Sequence, residues 1–342
     1  MVKFSAWKFM REQLAALPPV TIVDLSGKTI IVTGGNTGLG FEAAKHFASM
    51  KPGRLILACR SKERGEAAVT KLGTETGYRK AEFRHLDLDS FDSTINFVEE
   101  LEREDARVDV VVANAAVHPS TYKKSSHGWE STLQVNHLST ALLSILLVPL
   151  FVKTAQTYSV KPRLVIVSSA THFMYTIPES ALKTPKLIET FTSEKFCDEK
   201  HMAQDRYNLS KLLNVFLTRS LASHLGPSSP VIVNNVAPGF CISELRREIP
   251  ASAKRRVAIM EFFLARTTES GSRTLVWAAL QGDPDKVRGK YLSSCRVAEE
   301  SDYVLYGEGP KIEKRLWDET IEILEKVSPK VKDIESQYLS HA

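Results

Sequence analysis

Short runs of β-branched and aliphatic residues, set at intervals along the chain, constrain its fold more than any other feature. They read TIIVTGG, RLILACR, VDVVVANAA, RLVIVSS and VIVNNVAPG, with a weaker run, AEFRHLDL, between the second and third. The apolar cores of these runs do not alternate with polar residues, so a sheet built from them must be covered on both faces. Between them lie GLGFEAAKHFASM, SKERGEAAVTKLG, FDSTINFVEELERE, WESTLQVNHLSTALLSILLV and YNLSKLLNVFLTRSLASHL, all with helical patterning. Strand and helix in alternation predict an α/β fold: a doubly wound parallel sheet of about seven strands with helices on both faces. The stretch GKYLSS, from Gly289, reads as an edge strand, and KIEKRLWDETIEILEKV as a closing amphipathic helix. With no internal repeat and no Pro/Gly/Ser-rich linker, one domain is expected over 21–330, after an amphipathic segment at 1–20 and before a tail at 331–342.

Composition narrows the function classes. Among 342 residues, 43% are hydrophobic and 25% charged, which suits a globular chain with a sizeable core. The net charge of +5 is spread among acids and not gathered into a stripe, which argues against nucleic acid as a partner. Cys59, Cys197, Cys241 and Cys295 have no CxxC or Cys/His spacing, so neither a metal site nor a disulfide framework is expected, and a reducing, cytoplasmic setting fits. The first twenty residues lack a secretory pattern but place Phe4, Trp7, Met10, Leu14 and Leu17 at helical spacing. Two readings stand: a helix packed on its own domain or a partner, and a peripheral helix in weak contact with a membrane surface. The run ALLSILLVPLF is too short to span a bilayer and contains Pro149, so it reads as a buried helix.

Ligands of open α/β sheets bind outside the carboxyl ends of the strands. There the first run enters TGGNTGLG, with Gly34, Asn36, Thr37, Gly38, Leu39 and Gly40 opening a helix. Glycines let backbone approach a pyrophosphate, and the helix start offers free N–H groups and a favourable dipole. The spacing resembles the TGxxxGxG of the short-chain dehydrogenase/reductase family, which implies a Rossmann-type sheet and a nicotinamide dinucleotide. A ribose hydroxyl is held by an acid at the end of the second strand, whereas a 2′-phosphate needs a cation. Arg60 stands there, with Lys62 and Arg64 nearby, so NADP(H) is the expected cofactor. By the resemblance, Asp87 and Leu88 after the third strand contact the adenine, and Asn114 and Ala115 hold the turn after the fourth. The family's Asn-Ala-Gly is Asn114-Ala115-Ala116 here, a departure at a position where glycine has more backbone freedom.

In DRYNLSK, Tyr207 precedes Lys211 by four residues. On a helix such a pair shares one face. A phenol's ordinary pKa of about 10 is too high for proton exchange near neutrality, and a nearby cation lowers it by favouring phenolate. The phenol can then act as general acid or base. The fifth run ends in Ser168 and Ser169, which face opposite sides, so one of them would point at the nicotinamide. The family resemblance selects Ser169, as donor to the substrate oxygen, and adds Asn136 as holder of a water that links Lys211 to solvent. It also places Pro238 and Gly239 beside the nicotinamide and Ser243 near its carboxamide.

Ser169 and Tyr207 are farther apart than in compact family members, and Thr171 to Arg206 forms a long insertion. That spacing, with GKYLSSC and a Trp-containing helix, resembles the retinol-dehydrogenase-like branch. Apolar residues in the expected pocket walls (Phe173, Met174, Tyr175, Phe240, Ile242, Phe262 and Phe263) suit a bulky lipophilic carbonyl or alcohol, or else local core. The expectation is an NADP(H)-dependent carbonyl reductase or alcohol dehydrogenase, monomeric or homodimeric. The competing readings are a catalytically silent NADP(H)-binding regulator and a membrane-surface retinoid or sterol dehydrogenase.

Overall fold

In the computed structural model, residues 6–197, 204–243, 245 and 251–340 are described. The apolar runs become Thr29–Thr33 (β1), Arg54–Cys59 (β2), Ala81–His85 (β3), Val110–Ala113 (β4), Arg163–Val167 (β5) and Ile232–Ala237 (β6), followed by Tyr291–Ser293 (β7) and Arg296–Ala298 (β8). They form one sheet in the order β3-β2-β1-β4-β5-β6-β7-β8. All neighbours are parallel except β7 and β8. The strand order reverses between β1 and β4, where Val32 lies beside Val112, and this opens a crevice at their carboxyl ends.

Burial on both sides is visible along a single strand. Ile30 and Val32 of β1 enter one core with Phe41, Phe47 and Leu275, while Ile31 enters the other with Leu142, Phe151 and Phe216. Helices Gly38–Ser49 (α2), Lys62–Thr76 (α3) and Thr268–Leu280 (α8) supply the first core. Phe91–Arg103 (α4), Ser131–Tyr158 (α5), Gln204–Leu225 (α6), Gly309–Val327 (α9) and Lys330–Tyr338 (α10) supply the second. By length and composition α5 could cross a bilayer, but 89% of its apolar window lies inside the fold, as the core of a doubly wound sheet requires. Before the sheet come Ala6–Leu14 (α1), and after β6, Ala251–Leu264 (α7).

The sheet has eight strands, not about seven, and β7 is not its edge. β8 pairs antiparallel to β7, with Ser293 opposite Arg296. The two residues between them, Ser294 and Cys295, have φ of 50° and 58°. Consecutive left-handed residues make the tight turn that matches strand twist. Neither is the Asn or Gly that usually marks such a turn, so the hairpin carried no local signal.

Candidate active site

Each part of the switch-point crevice is positioned by packing that depends on residue type. Gly34 has φ of 63°, and a side chain there would come within 3.1 Å of both Ala115 and the Asn114 amide. At Gly40 a Cβ would meet the Gly34 carbonyl at 2.5 Å. Only glycine lets α2 start this close to β1 and β4. Gly38 differs: its φ is 57° and the space beside it is open. Thr37 precedes α2 without a side-chain cap, which leaves the first-turn amides to face that space. The turn therefore fits a pyrophosphate: open space beside Gly38, at the start of a helix without a side-chain cap.

Thr33, which the sequence reading missed, organises the neighbouring turn. Its hydroxyl accepts from the backbone N–H of Asn114 at 2.9 Å and of Ala115 at 3.0 Å, and the Asn114 amide donates back to the Thr33 carbonyl at 2.9 Å. Ala116 has no positive φ, so the missing family glycine imposes no strain here. Arg60 follows β2, exposed and without an ion pair among the described residues, while Lys62 pairs loosely with Glu66 along α3 at 3.8 Å. Asp87 accepts from the Asp89 N–H at 3.0 Å, closing a turn, and Leu88 is buried beside it.

At the other end, α6 brings Tyr207 and Lys211 to the end of β5. The Lys211 ammonium donates to the Val167 carbonyl at 2.8 Å and lies 5.5 Å from the centre of the Tyr207 ring. Burial pulls its pKa down to about 7, so near neutrality it is poised between charged and neutral. Ser168 points into the protein and donates to the Lys211 carbonyl at 2.9 Å. Ser169 faces the other way, half-buried, and accepts from the Thr171 N–H at 3.2 Å. Just beyond, His172 is bonded through Nδ1 to the Ser169 carbonyl at 2.8 Å. Because a carbonyl only accepts, Nδ1 carries the proton; burial lowers the ring's pKa to about 4 and keeps it neutral. Sequence offered no hint of this role, since a histidine three residues after a strand has many uses.

Asn136 sits in a π-helical turn, Gln134–Leu138, within α5. Its side chain accepts from the Val117 N–H at 2.8 Å and donates to the Val117 carbonyl and to Ser210, both at 3.0 Å. Ser210 in turn donates to the Tyr207 carbonyl at 2.8 Å. Asn136 is thus tied to the Tyr207 helix directly, and both donors of its amide are used by protein groups. The ring of His118 lies 4.8 Å from that of Tyr207. One residue before Tyr207, Arg206 forms a fully buried pair with Glu130 at 2.5 Å, which fixes the start of α6 against α5. Pro238 and Gly239 form the turn after β6, whereas Ser243 accepts from the Leu245 N–H at 3.1 Å and so acts as a local cap.

Part of the insertion is packed into the fold. Ile177, Ala181, Leu187, Ile188 and Phe191 are buried in the core on α9. Arg315 of α9 donates to the Leu182 carbonyl at 2.8 Å, and Glu319 accepts from the Ile188 N–H at 2.8 Å. Tyr175 packs on that core and Phe173 against Tyr291, while Met174, Ile242, Phe262 and Phe263 are exposed.

Residues 28–186 match the family described as short chain dehydrogenase. The chain is 37% identical to Short chain dehydrogenase/reductase dmxR8 of Cryptosporiopsis sp. (strain 8999), over 94% of this chain and 98% of that one. It is 36% identical to Short-chain dehydrogenase anuD of Penicillium roqueforti (strain FM164), over 95% and 84% of the two chains. Among solved structures, a short-chain dehydrogenase from Sphingobium yanoikuyae in complex with NADPH shares the fold, with a TM-score of 0.53 and 22% identity over 73% of this chain and 83% of that one. These names identify the family and no particular branch of it.

Proposed function

This chain belongs to the short-chain dehydrogenase/reductase family and is an oxidoreductase of that kind; on that premise we propose that it uses NADP(H) to interconvert a carbonyl and an alcohol on a bulky lipophilic small molecule. The observation that carries the reading is the buried Lys211 beside the Tyr207 ring, on a helix face held against the end of β5. An ordinary structural lysine has no reason to be desolvated next to a half-buried phenol at a sheet's carboxyl end.

The dinucleotide would be held by Gly34, Asn36, Thr37, Gly38, Leu39 and Gly40, by Asp87, Leu88, Asn114 and Ala115, and by Pro238 and Gly239. When bound, its nicotinamide supplies or accepts a hydride. Arg60, exposed after β2 and without an ion pair among the described residues, is the cation for a 2′-phosphate, and the NADPH bound by the Sphingobium protein of the same fold supports that choice. Ser243 would stand near the nicotinamide carboxamide, with its hydroxyl hydrogen left to donate while its oxygen accepts from the Leu245 N–H.

The chemistry falls to three side chains. In reduction the Tyr207 phenol gives its proton to the oxygen on which charge develops, and in oxidation its phenolate takes that proton from the alcohol. The charged form of Lys211 favours the phenolate, and a pKa near neutrality allows the lysine to follow the tyrosine's proton. Ser169 donates a hydrogen bond to the same oxygen, while His172 holds the serine's backbone in place. Asn136 acts on this scheme through Ser210, by fixing the turn of α6 that carries Tyr207. The exposed apolar residues Met174, Ile242, Phe262 and Phe263 support a lipophilic substrate.

An NADPH-oxidation screen against lipophilic ketones, aldehydes and quinones tests the reading. Tyr207→Phe is expected to bind NADPH as the parent does and to lose turnover by at least about a hundredfold, the usual reach of general acid catalysis. Equal turnover by the two proteins would remove Tyr207 from the reaction. NADPH binding with no turnover of any carbonyl by the parent would favour a silent regulator.

A further inference from the structure

The N-terminal helix α1 is attached in an unusual way. Two of its large apolar residues turn outward, Trp7 at 74% exposed and Leu14 at 67%, while Phe9 and Met10 are half-buried. Polar groups add directed contacts, and they converge on one place. Gln13, only 5% exposed, donates to the Phe240 carbonyl at 2.6 Å and to the Leu264 carbonyl at 2.8 Å, and accepts from the Phe240 N–H at 3.0 Å. Both hydrogens of its amide are used, and its oxygen is used as well.

These two anchor points lie at opposite ends of one segment. Phe240 follows the Pro238–Gly239 turn, and Leu264 ends α7; between them runs the stretch that carries Ile242, Phe262 and Phe263. Its stems meet in a short bridge, with the Arg266 N–H bonded to the Phe240 carbonyl at 2.8 Å and the Ile242 N–H to the Arg266 carbonyl at 3.0 Å. Arg266 closes the base: its guanidinium donates to the Pro238 carbonyl at 3.1 Å, to Ser294 at 3.2 Å and to the Glu12 carbonyl of α1 at 2.5 Å. Space at the junction is already filled, since a Cβ on Gly239 would meet Gln13 and Arg266 each at 2.8 Å. Arg296 pairs with the Glu12 carboxylate at 2.6 Å, which adds a connection to β8.

We propose that Gln13 is a positioning residue: its carboxamide spans both stems of the segment between Phe240 and Leu264, and so sets the substrate-side wall relative to the Pro238–Gly239 turn. The idea rests on the oxidoreductase reading above for its consequence, and on geometry alone for its cause. A carboxamide is the one uncharged group that can offer two donors and an acceptor in this arrangement. Hydrophobic docking would hold the helix without fixing the stems; three directed hydrogen bonds fix both.

The test compares the full-length parent with Gln13→Ala and Gln13→Glu, with exposed Leu14→Ser as control. Hydrogen exchange at the amides of Phe240, Ile242 and Arg266 needs no substrate and reports the stems directly. Exchange there is expected to speed up at least about tenfold in Gln13→Ala, the scale of one lost hydrogen bond, and more in Gln13→Glu, where an ionised carboxylate would face two carbonyls. For a carbonyl identified by the screen, KM is expected to rise about tenfold, with kcat less affected and the Kd for NADPH within about twofold of the parent. Leu14→Ser should match the parent throughout. Unchanged exchange at the stems would overturn the proposal, as would a KM equal to the parent's, or a loss of NADPH affinity as large as the rise in KM. Should Gln13→Ala fail to fold, Gln13→Asn, with its shorter arm, gives the same readings. Absence of any carbonyl substrate would count against the oxidoreductase reading, while the exchange data would still decide the role of Gln13.

Discussion

The turn after β1 and the segment after β6 are built to different tolerances. At the β1–α2 turn, backbone packs on backbone so closely that a single methyl at Gly40 has no room. After β6, the stretch before Leu264 presents Phe262 at 84% exposure and Phe263 at 68%. One side is specified by what cannot be there, the other by side chains with no partner among the described residues apart from each other, their rings 5.1 Å apart. A turn that must take the same dinucleotide every time gains from rigidity. A segment whose apolar side chains are exposed can differ between relatives without disturbing the sheet.

The largest effect should follow from breaking the rigid side. Gly40→Ala pushes a Cβ against the Gly34 carbonyl and the Asn114 amide, and overpacking of this sort costs about 1–3 kcal/mol. Thermal melting of the apoprotein should fall by several degrees and NADPH binding should be lost together with it. Gly38→Ala is the sharper control: it meets no atom, so only the strain of its positive φ, about 1–2 kcal/mol, should appear. Equal melting losses at both positions would mean that close packing is not what distinguishes the turn.

A smaller and more selective effect is expected at Arg60. Arg60→Ala should weaken NADPH by about tenfold or more, the scale of a charge-assisted contact, and leave NADH nearly unchanged in a binding titration. A matched loss for both would take the phosphate away from this arginine. On the tolerant side, the double change Phe262→Ser and Phe263→Ser should leave melting within about 0.5 kcal/mol of the parent, as surface substitutions do. Its effect should be confined to KM for the lipophilic carbonyl, and a large drop in melting would show that these rings are packed.

Much of this was legible in the chain. The apolar runs announced β1, β2, β4, β5 and β6 because a strand covered on both faces needs apolar residues along its length, whereas β3, half-exposed at the sheet edge, left a weaker run; the glycine turn and the Tyr207/Lys211 pair follow fixed local spacings. That Ser168 and Ser169 face opposite ways followed from strand alternation, and the bond from Ser168 to the Lys211 carbonyl turns Ser168 inward, while the choice of Ser169 came from the family resemblance. The eighth strand was not legible, because Ser294 and Cys295 adopt left-handed backbone without the residues that prefer it. That part of the insertion is held against Arg315 and Glu319 of α9 was not legible either, because its contacts leave no periodic trace.

What the sequence determined by itself is therefore the sheet, the turn that fits a dinucleotide, and the phenol and ammonium on one helix face, all of which rest on residue type at short spacing. Tertiary structure alone decided that Asn136 reaches the Tyr207 helix through Ser210, that neutral His172 holds the Ser169 turn, and that Gln13 fastens both stems of the segment between Phe240 and Leu264. Several of these contacts run from a side chain to a backbone carbonyl. Every residue has a carbonyl, so nothing in the order of side chains marks which one, more than two hundred positions away, Gln13 will meet.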